Sequence, residues 1–335
     1  MKKRWSKNIE WSILVCTILL IIIGLIALFS ATQNTNYDEF KKQIIWVAIS
    51  IPFIIAFTLI DYETIAKISP VFYVVMIILL VGVLFTEPIN GATSWYSFGS
   101  VSFQPAEFTK IFVIMVLALV MSKMVAKGKK EISRPTRLLI LVAILAVPVL
   151  LIIKQPDYGT ALAFFVAFIS MLFVAGIDKK YIIAGILIIA ITLPVMYFFV
   201  LPDHAKQRID VFLNQDLDPR GAGYNLTQSK LAIGAGQLFG MGLLRGNQTQ
   251  LGYLSPKTTD FIYSVIGEEM GFLVAAAIIV LYVVLITKAI YVAKTAKDNL
   301  GSYIAIGIAG IFLFHMTENI GMTIGLLPIT GVPLP

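Results

Sequence analysis

Nine apolar runs dominate this chain and restrict what it can fold into. They cover approximately 11–31, 42–60, 68–86, 107–125, 138–153, 158–176, 181–200, 261–287 and 302–325. A helix needs about 20 apolar residues to cross the hydrocarbon of a bilayer. Because backbone groups in lipid need partners inside the protein, runs of this length predict helices rather than open sheets. The fold class is therefore an all-α polytopic membrane protein.

Composition supports this assignment and excludes other classes. The chain is 58% hydrophobic and only 13% charged, with a mean hydropathy of +0.88, whereas soluble domains carry about 25% charged residues. Its single cysteine, Cys16, excludes an intrachain disulfide framework or a cysteine-based metal cluster and is interpreted as a small buried apolar residue. The net charge of +7 does not indicate nucleic acid, since the basic residues lie in short loops between the spans.

The basic residues are distributed unequally between the two sides of the membrane. One set of alternate loops holds 16 of them, and the short loops of the other set hold Lys41, Lys42 and Lys154. Short loops rich in Lys and Arg stay in the cytoplasm. The N-terminus is therefore expected in the cytoplasm, and residues 1–7 with the run after them are interpreted as a retained first span rather than a signal peptide.

A polar segment of 60 residues, 201–260, separates the seventh and eighth runs and holds eight of the 24 glycines. Connections longer than about 15 residues are usually functional or disordered, and this one is too rich in Gly, Leu, Tyr and Phe to be a disordered tail. The topology places it outside the cell. We expect a turn over 216–221 and one or two short helices over 222–242, lying on or dipping into the outer surface.

Asp260 lies where this loop re-enters the bilayer, and a carboxylate there is a candidate reactive group. The alternative is that Asp260 caps the eighth helix. It is expected on the same helix as Glu268, about 12 Å away by helical rise. Glu268 and Glu269 fall deep enough to be costly unless they face the protein interior.

Two further polar clusters border the outer surface. Glu107 and Lys110 share a face of the fourth span after Pro105, so they can pair, either as a structural ion pair or as part of a substrate site. Between the fifth and sixth spans, Lys154 and Asp157 can bind a polar headgroup, or Asp157 can cap the helix that follows.

The remaining polar residues carry weaker signals. In the loop, Arg208, Arg220, Lys230 and Arg245 are suited to a phosphate, although each alone is equally typical of a solvated surface. His204 carries no strong signal, and His315 with Glu318 are interpreted as interior polar contacts, because two residues do not make a metal site. The sequence has no phosphate-binding glycine motif, nucleophile elbow or nucleotide fingerprint.

Several short stretches, spread in order along essentially the whole chain, resemble the SEDS family of bacterial cell-wall polymerases, which includes RodA, FtsW and SpoVE. They are 90–92 with Trp95, 103–110, 155–162, 221–225 with 228–230, 259–262 and 319–335. Residues 248–251 and the Asn-Ile-Gly-Met run from Asn319 look more similar to the RodA, rod-shape-determining branch. Thr258 stands where the family usually has His, so local substrate contacts can differ.

The resemblance implies the SEDS fold of ten transmembrane helices, with both termini cytoplasmic and a large extracellular loop between helices 7 and 8. Nine of those helices are present, in a single transmembrane domain over 1–335 that contains the loop at 201–260. The family signature normally continues beyond Pro335 into a final helix, so the chain is expected to be C-terminally truncated. The expected localisation is the bacterial cytoplasmic membrane.

The resemblance also implies an activity: peptidoglycan glycosyltransfer, which polymerises lipid II into glycan strands at the outer face of the membrane during elongation. Such a reaction needs a base for the acceptor hydroxyl and cations for the leaving pyrophosphate. Asp260 is the expected catalytic base. The expected substrate-binding residues are Glu107, Lys110, Asp157, Lys230, Gln228 and Trp95.

Partners and cofactors follow from the same resemblance. The expected partners are lipid II, a class B penicillin-binding protein that supplies the transpeptidase, and other membrane proteins of the elongation complex. A divalent cation, Mg²⁺ or Mn²⁺, is compatible with a pyrophosphate, but no residue pattern specifies one. The alternatives are a flippase or transporter of the same lipid, a polymerase of the division or sporulation branch, and a non-catalytic scaffold for the partner synthase.

Overall fold

The computed structural model describes residues 10–88, 92–99, 101–200, 203–219 and 221–334. Its helices are α1 (Trp11–Ala31), α2 (Asp38–Leu59), α3 (Tyr62–Val83), α4 (Pro105–Val125), α5 (Pro135–Lys154), α6 (Tyr158–Ala175), α7 (Lys179–Val195), α8 (Asp203–Leu213), α9 (Ala222–Ala235), α10 (Asn247–Gln250), α11 (Ile262–Thr295) and α12 (Asn299–Thr323). Within these residues nine helices are long and apolar enough to cross a membrane. They correspond to the nine predicted runs.

The boundaries differ from the predicted ones mainly where charged residues flank a span. Helix α3 begins at Tyr62, six residues earlier than predicted, and α11 continues eight residues further, to Thr295. Helices can extend beyond the hydrocarbon because Lys side chains bury their stems and keep their ammonium groups in water. A short antiparallel hairpin, formed by β1 (Tyr96–Phe98) and β2 (Val101–Phe103), is present and was not predicted from the sequence.

The chain divides into two compact units. One comprises 1–54, 204–291 and 315–335, and the other comprises 55–203 and 292–314. In the second unit, α4 is the most enclosed helix, and small residues let the first part of α12 approach its neighbours. A Cβ atom on Gly310, for example, would lie 3.0 Å from the Cα of Ala167 on α6.

The first unit contains the long loop. Helix α9 confirms the helix expected after residue 222, and its Ser229 hydroxyl lies 2.6 Å from that of Ser264 on α11 and donates to the Thr323 carbonyl on α12 at 2.7 Å. Arg220, part of the predicted turn over 216–221, lies outside the described residues. The preceding residues Gln215–Leu217 form a short 3₁₀ helix.

Helix α11 is broken at Gly271, where φ is 80° and ψ is 179°. The break removes two bonds of the helical ladder, and the loop replaces them. The amides of Phe272 and Leu273 donate to the carbonyls of Gln237 and Leu238, at 2.8 and 3.2 Å. In return, the carbonyls of Glu268 and Glu269 accept from loop amides at 2.9 and 3.0 Å.

This exchange places the turn at 237–242 beside the interior of a membrane-spanning helix. Glu268 lies six residues past the start of α11, which is roughly 9 Å along the helix axis at 1.5 Å per residue. The loop therefore dips below the end of the helix, as the sequence predicted, through a turn rather than a helix. Leu238 and Phe239 at the turn are exposed, which suits contact with lipid.

We expect Gly271→Ala to destabilise the protein by about 1–3 kcal/mol, because only glycine readily adopts this backbone conformation. A methyl group there would also lie 2.7 Å from the Leu238 carbonyl oxygen. Thermal unfolding of the detergent-solubilised protein measures the change. The matched control is Gly24→Ala in α1, where no atom lies within 4 Å of the added methyl and stability should be unchanged or raised. Equal midpoints for both variants would contradict this account of the break.

Candidate active site

Asp260 lies in a turn two residues before α11, held by three neighbours in the first unit. Its backbone carbonyl accepts a hydrogen bond of 3.0 Å from Asn319 Nδ2 on α12. Its half-buried carboxylate accepts a hydrogen bond from the Thr259 hydroxyl and lies within electrostatic range of Arg208 on α8. On a further side it faces Gly331, where a Cβ atom would lie 3.5 Å from Asp260 Oδ2.

The predicted helical relation between Asp260 and Glu268 is wrong, because α11 begins only at Ile262. The capping alternative also finds no support. The amides of Ser264 and Val265 donate to the Phe261 carbonyl at 3.0 and 3.3 Å, so Phe261 occupies the cap position. Phe261 itself is buried. The carboxylate of Asp260 is thereby left outside the helix end.

Burial raises the pKa of Asp260 above its usual value, while the Thr259 hydrogen bond and the charge of Arg208 oppose that rise. Desolvation disfavours the charged form of a carboxyl group, so its proton affinity increases. A carboxylate of raised pKa is a better proton acceptor than a solvated one. The environment therefore favours proton abstraction.

A C-terminal segment, residues 328–334, forms one wall beside Asp260. Asn319 Nδ2 donates to the Val332 carbonyl at 2.9 Å, and the Thr330 hydroxyl donates to Glu318 Oε1 at 2.8 Å. His315 Nδ1 lies 3.2 Å from the Pro333 carbonyl. The prediction that His315 and Glu318 make interior polar contacts is confirmed, and both hold this segment.

Arg208 contacts the same segment from α8. Its guanidinium nitrogen Nη1 lies 3.5 and 3.4 Å from the carbonyls of Ile329 and Thr330. The sequence placed Arg208 only within a group of loop basic residues. Of the others in that group, Lys230 is exposed and donates to Gln215 Oε1 at 2.9 Å, and Arg245 packs beside Gly242. Lys230 Nζ also lies 3.5 Å from a Cβ atom built on Gly325.

Gln228 and His204 are the remaining loop residues named in the sequence analysis. Gln228 lies on α9 beside Ser229, half-buried, and its predicted role in substrate binding stays a prediction. His204 is the second residue of α8, but its side chain lies outside the described part of the structure.

Glu268 and Glu269 are 0% and 2% exposed, and the loop binds both carboxylates. Glu268 accepts from the amides of Gln248 and Thr249, at 2.7 and 3.0 Å, and from the Thr249 hydroxyl at 2.7 Å. The sequence predicts that burying Glu268 and Glu269 costs free energy. These hydrogen bonds offset that cost, because hydrogen bonds to charged groups are strong in a low dielectric. The pattern shows a structural role for Glu268.

Glu269 holds the preceding part of the loop in the same way. It accepts from the amides of Leu244 and Gly246, at 3.1 and 3.3 Å, and from Gln250 Nε2 at 2.7 Å. Lys257 closes the region, donating to the Thr249 carbonyl at 2.7 Å. Burial lowers the pKa of Lys257, and the charges of Glu269 and Glu268 oppose that shift.

The second unit brings together the other predicted polar residues. Lys110 Nζ, 4% exposed, donates to Glu107 Oε1 at 2.8 Å, which confirms the predicted pairing. Gln104 Nε2 donates to Asp157 Oδ2 at 2.9 Å. The side chain of Gln104, which the sequence did not predict as a site residue, thus joins stretch 103–110 to stretch 155–162.

Asp157 is the N-cap of α6, and its Oδ1 accepts from the Thr160 amide at 3.1 Å. The capping alternative is therefore confirmed. Burial raises the pKa of Asp157, hydrogen bonds from Thr160 oppose the rise, and Glu107 and Lys110 act on it in opposite directions. Asp157 is hydrogen-bonded to Gln104 and lies within electrostatic range of the Glu107–Lys110 pair, so these four residues form one polar cluster.

Trp95 lies at the edge of this region, half-buried, with its carbonyl accepting from the Thr86 hydroxyl at 3.2 Å. Nearby, Gln155 is fully buried and donates from Nε2 to the Leu80 carbonyl at 3.1 Å. Such contacts fix the backbone between α3 and the β-hairpin. The predicted substrate contact of Trp95 stays a prediction.

No group of three or more His, Cys, Asp or Glu side chains suited to a metal occurs among the residues that the structure describes. The oxygen atoms of Glu268 and Glu269 are engaged by donors from the loop.

These features define a polytopic membrane protein whose long loop is tied into a broken helix and leads to a confined carboxylate. The sequence model of one family, described as "Cell cycle protein" (FtsW, RodA and SpoVE), matches residues 10–335. The chain belongs to this family, and it is a multi-pass membrane protein.

The chain aligns with most of the length of two relatives. The chain is 32% identical to the peptidoglycan glycosyltransferase MrdB of Escherichia coli, over 100% of this chain and 89% of that protein. It is 33% identical to the stage V sporulation protein E of Bacillus subtilis, over 96% of this chain and 89% of that protein.

Solved structures share the fold. A chain from a structure described as a peptidoglycan synthase complex that coordinates polymerisation and crosslinking superposes with a TM-score of 0.83, at 22% identity, over 98% of this chain and 91% of that chain. The rod shape determining protein RodA of Thermus thermophilus superposes with a TM-score of 0.68, at 23% identity, over 98% and 89%. The predicted SEDS fold is confirmed.

We expect Glu268→Gln to loosen the loop at Gln248 and Thr249, because the amide's NH₂ group would face donors that now meet a carboxylate oxygen. Leaving buried donors unpaired costs about 1–3 kcal/mol. Thermal unfolding and limited proteolysis of the loop measure the effect. Glu63→Gln, at an exposed position on α3, is the matched control and should change neither. Unaltered proteolysis in Glu268→Gln would show that this carboxylate does not hold the loop.

Proposed function

We propose that this chain is a peptidoglycan glycosyltransferase, which polymerises lipid II into glycan strands at the outer face of the cytoplasmic membrane during cell elongation. The observation that carries the proposal is the confined carboxylate of Asp260, in a family whose curated members are named as peptidoglycan glycosyltransferases. A lipid-linked sugar donor has its tail in the bilayer and its head outside. A reactive group at the end of a membrane helix suits that geometry.

In the proposed reaction, the carboxylate of Asp260 accepts the proton of the acceptor sugar hydroxyl. The hydroxyl oxygen then forms a bond to the anomeric carbon of the donor, and the bond from that carbon to the pyrophosphate oxygen breaks. The undecaprenyl pyrophosphate leaves with the electron pair. A base positioned for such a proton transfer contributes typically 10²–10⁴-fold to the rate.

The polar cluster of the second unit is proposed to bind the substrate head. Lys110 is almost fully buried yet paired with Glu107, whose side chain is 43% exposed, so the pair presents one accessible carboxylate and one enclosed ammonium group. Charges that line a cavity can recognise polar groups such as phosphate or sugar hydroxyls. Asp157 is proposed to act with them, and Trp95 to contact the sugar.

In the first unit, Lys230 and Gln228 on α9 are proposed as further substrate-binding residues. Lys230 is exposed and held by Gln215, which leaves its remaining donors available for a phosphate oxygen. A divalent cation, Mg²⁺ or Mn²⁺, would be held mainly by the pyrophosphate itself. When bound, it would neutralise charge on the leaving group.

The proposed partner is a class B penicillin-binding protein, which crosslinks the strands that this chain makes. The support is the superposition on a chain from a complex described as coordinating polymerisation and crosslinking. Other membrane proteins of the elongation complex are proposed as further partners. A division or sporulation role is the closest alternative within the family, since the sporulation relative is 33% identical.

The alternative to an enzymatic function is that the protein is a flippase, which moves the same lipid across the membrane. Polar residues inside spans are typical of transport pathways, and Glu107, Lys110 and Glu318 fit that description. The position of Asp260 in a turn outside the helices favours chemistry over conduction.

The test of the function is Asp260→Asn in lipid II polymerisation by the purified protein with its partner synthase. We expect the glycan product to fall by about 10²–10⁴-fold, because the amide cannot accept the proton.

Since burial raises the pKa of Asp260, the ionised form is disfavoured in the folded state. Stability is therefore lost as the pH rises through the folded pKa, and the variant should unfold at a higher temperature at neutral pH.

The matched control is Asp216→Asn, at an exposed carboxylate of the same loop, which should polymerise as the wild type does. Equal product from wild type and Asp260→Asn would remove Asp260 as the base. Transport of lipid II across vesicles by Asp260→Asn, with polymerisation absent in the wild type as well, would favour the flippase.

We also propose that the N-terminus is cytoplasmic and the long loop extracellular. The single cysteine of the chain makes this testable with Cys16 replaced by Ser. We expect Leu217→Cys, which is 61% exposed in the loop, to react with a membrane-impermeant maleimide in intact cells. The control, Lys127→Cys, exposed between α4 and α5, should react only after permeabilisation. The opposite labelling pattern would reverse the orientation.

A further inference from the structure

Asn319 is an uncharged polar residue that is 0% exposed near the end of α12. Its Nδ2 group donates to two carbonyls, those of Asp260 and Val332, at 3.0 and 2.9 Å. A side-chain amide carries two N–H donors, so both are used. One side chain therefore joins the turn that carries Asp260 to the C-terminal segment 328–334.

The oxygen atom of the Asn319 amide does not contribute to this connection. Asn319 Oδ1 is buried without a hydrogen-bond partner among the described residues. A buried acceptor without a donor costs free energy, and an apolar residue would avoid that cost at this position. What Asn319 offers in exchange is the double donation that an apolar residue cannot make.

The double donation fixes the surroundings of the Asp260 carboxylate. The bond to the Asp260 carbonyl fixes the backbone of Asp260. The bond to the Val332 carbonyl fixes the residue next to Gly331, and Gly331 is the residue that the Asp260 carboxylate faces. A Cβ atom on Gly331 would lie 3.5 Å from Asp260 Oδ2, the nearest atom of the described residues apart from those next to Gly331 in the chain. The space in front of the carboxylate is thus bounded by a segment that the same side chain holds.

We propose that Asn319 is a positioning residue for the glycosyltransfer reaction, which sets the place of the Asp260 carboxylate by holding its backbone and the facing segment together. The inference rests on the proposed function of Asp260. Its chemical consequence is on the rate of the reaction rather than on substrate binding, because Asn319 is fully buried and contacts the backbone of Asp260. A misplacement of a reacting group by about 1 Å can cost 10²-fold in rate.

The same segment has a second anchor that does not touch Asp260. The Thr330 hydroxyl donates to Glu318 Oε1 at 2.8 Å, so Thr330→Val loosens the segment while the bond between Asn319 and the Asp260 carbonyl remains. This variant separates a role in holding the segment from a role in placing Asp260.

The experiment measures initial rates of lipid II polymerisation against lipid II concentration for wild type, Asn319→Ala and Thr330→Val, each purified as the full chain with its partner synthase. We expect kcat of Asn319→Ala to fall about 10- to 100-fold with KM within about 2-fold. Thr330→Val should lower kcat by less than Asn319→Ala does, because the bond from Asn319 to the Asp260 carbonyl remains. If Asn319→Ala does not fold, Asn319→Ser, which keeps one donor, replaces it under the same criteria.

The pH profile of kcat is a readout that a merely structural role would not move. Burial raises the pKa of Asp260, and release of its backbone would expose the carboxylate to water. The acidic limb of the profile should therefore move to lower pH in Asn319→Ala alone. The charged group that acts directly on Asp260 is Arg208 on α8. The other titratable groups on the neighbouring elements are Lys257 in the preceding turn, and His315 and Glu318 on α12, which contact segment 328–334; none of them is replaced in this variant.

Three outcomes overturn the proposal. The first is a kcat of Asn319→Ala within about 3-fold of wild type. The second is an equal fall in Asn319→Ala and Thr330→Val with an unmoved acidic limb, which would assign Asn319 to the segment alone. The third is a change confined to KM. Asp260→Asn, measured in parallel, keeps the two hypotheses apart, since full activity there removes the proposed base whatever Asn319 does.

Discussion

The break in α11 at Gly271 is the constraint on which the first unit depends. A chain in lipid must satisfy its backbone hydrogen bonds internally, and two are lost from the helical ladder at this point. The turn at 237–242 replaces them with four bonds of its own to residues 268, 269, 272 and 273. A long polar loop is thereby attached to a membrane helix through its backbone, independently of most side-chain identities.

Glu268 and Glu269 extend this attachment by binding the amides of the loop, and the loop then leads through Lys257 to Asp260. The carboxylates of Glu268 and Glu269 are fully buried and that of Asp260 is half-buried, and they differ in their partners. Glu268 and Glu269 meet several N–H donors and hold structure, whereas the Asp260 carboxylate has a hydroxyl and a distant guanidinium group. A carboxylate with few donors is the one that remains available as a proton acceptor.

Much of the architecture could be predicted because hydrophobic length is a direct signal of a membrane span. All nine spans, α9 and the pairing of Glu107 with Lys110 follow from periodicity and spacing along the chain. The helix assignment of Asp260 failed because helix ends depend on which residue's carbonyl receives the first helical amides, here Phe261. The sequence identifies Asn319 only as part of a family motif, although an amide inside an apolar run is itself a signal of a specific contact.

The sequence by itself determined the class of the protein, the number of apolar runs and the types of residue available for chemistry, since these depend on composition and local spacing. Only the tertiary structure decided which of them meet. Gln104 joins Asp157 across 53 positions, and Asn319 joins Asp260 across 59. Such pairings have no local signature, because they arise from helix packing that brings distant parts of the chain within hydrogen-bond distance.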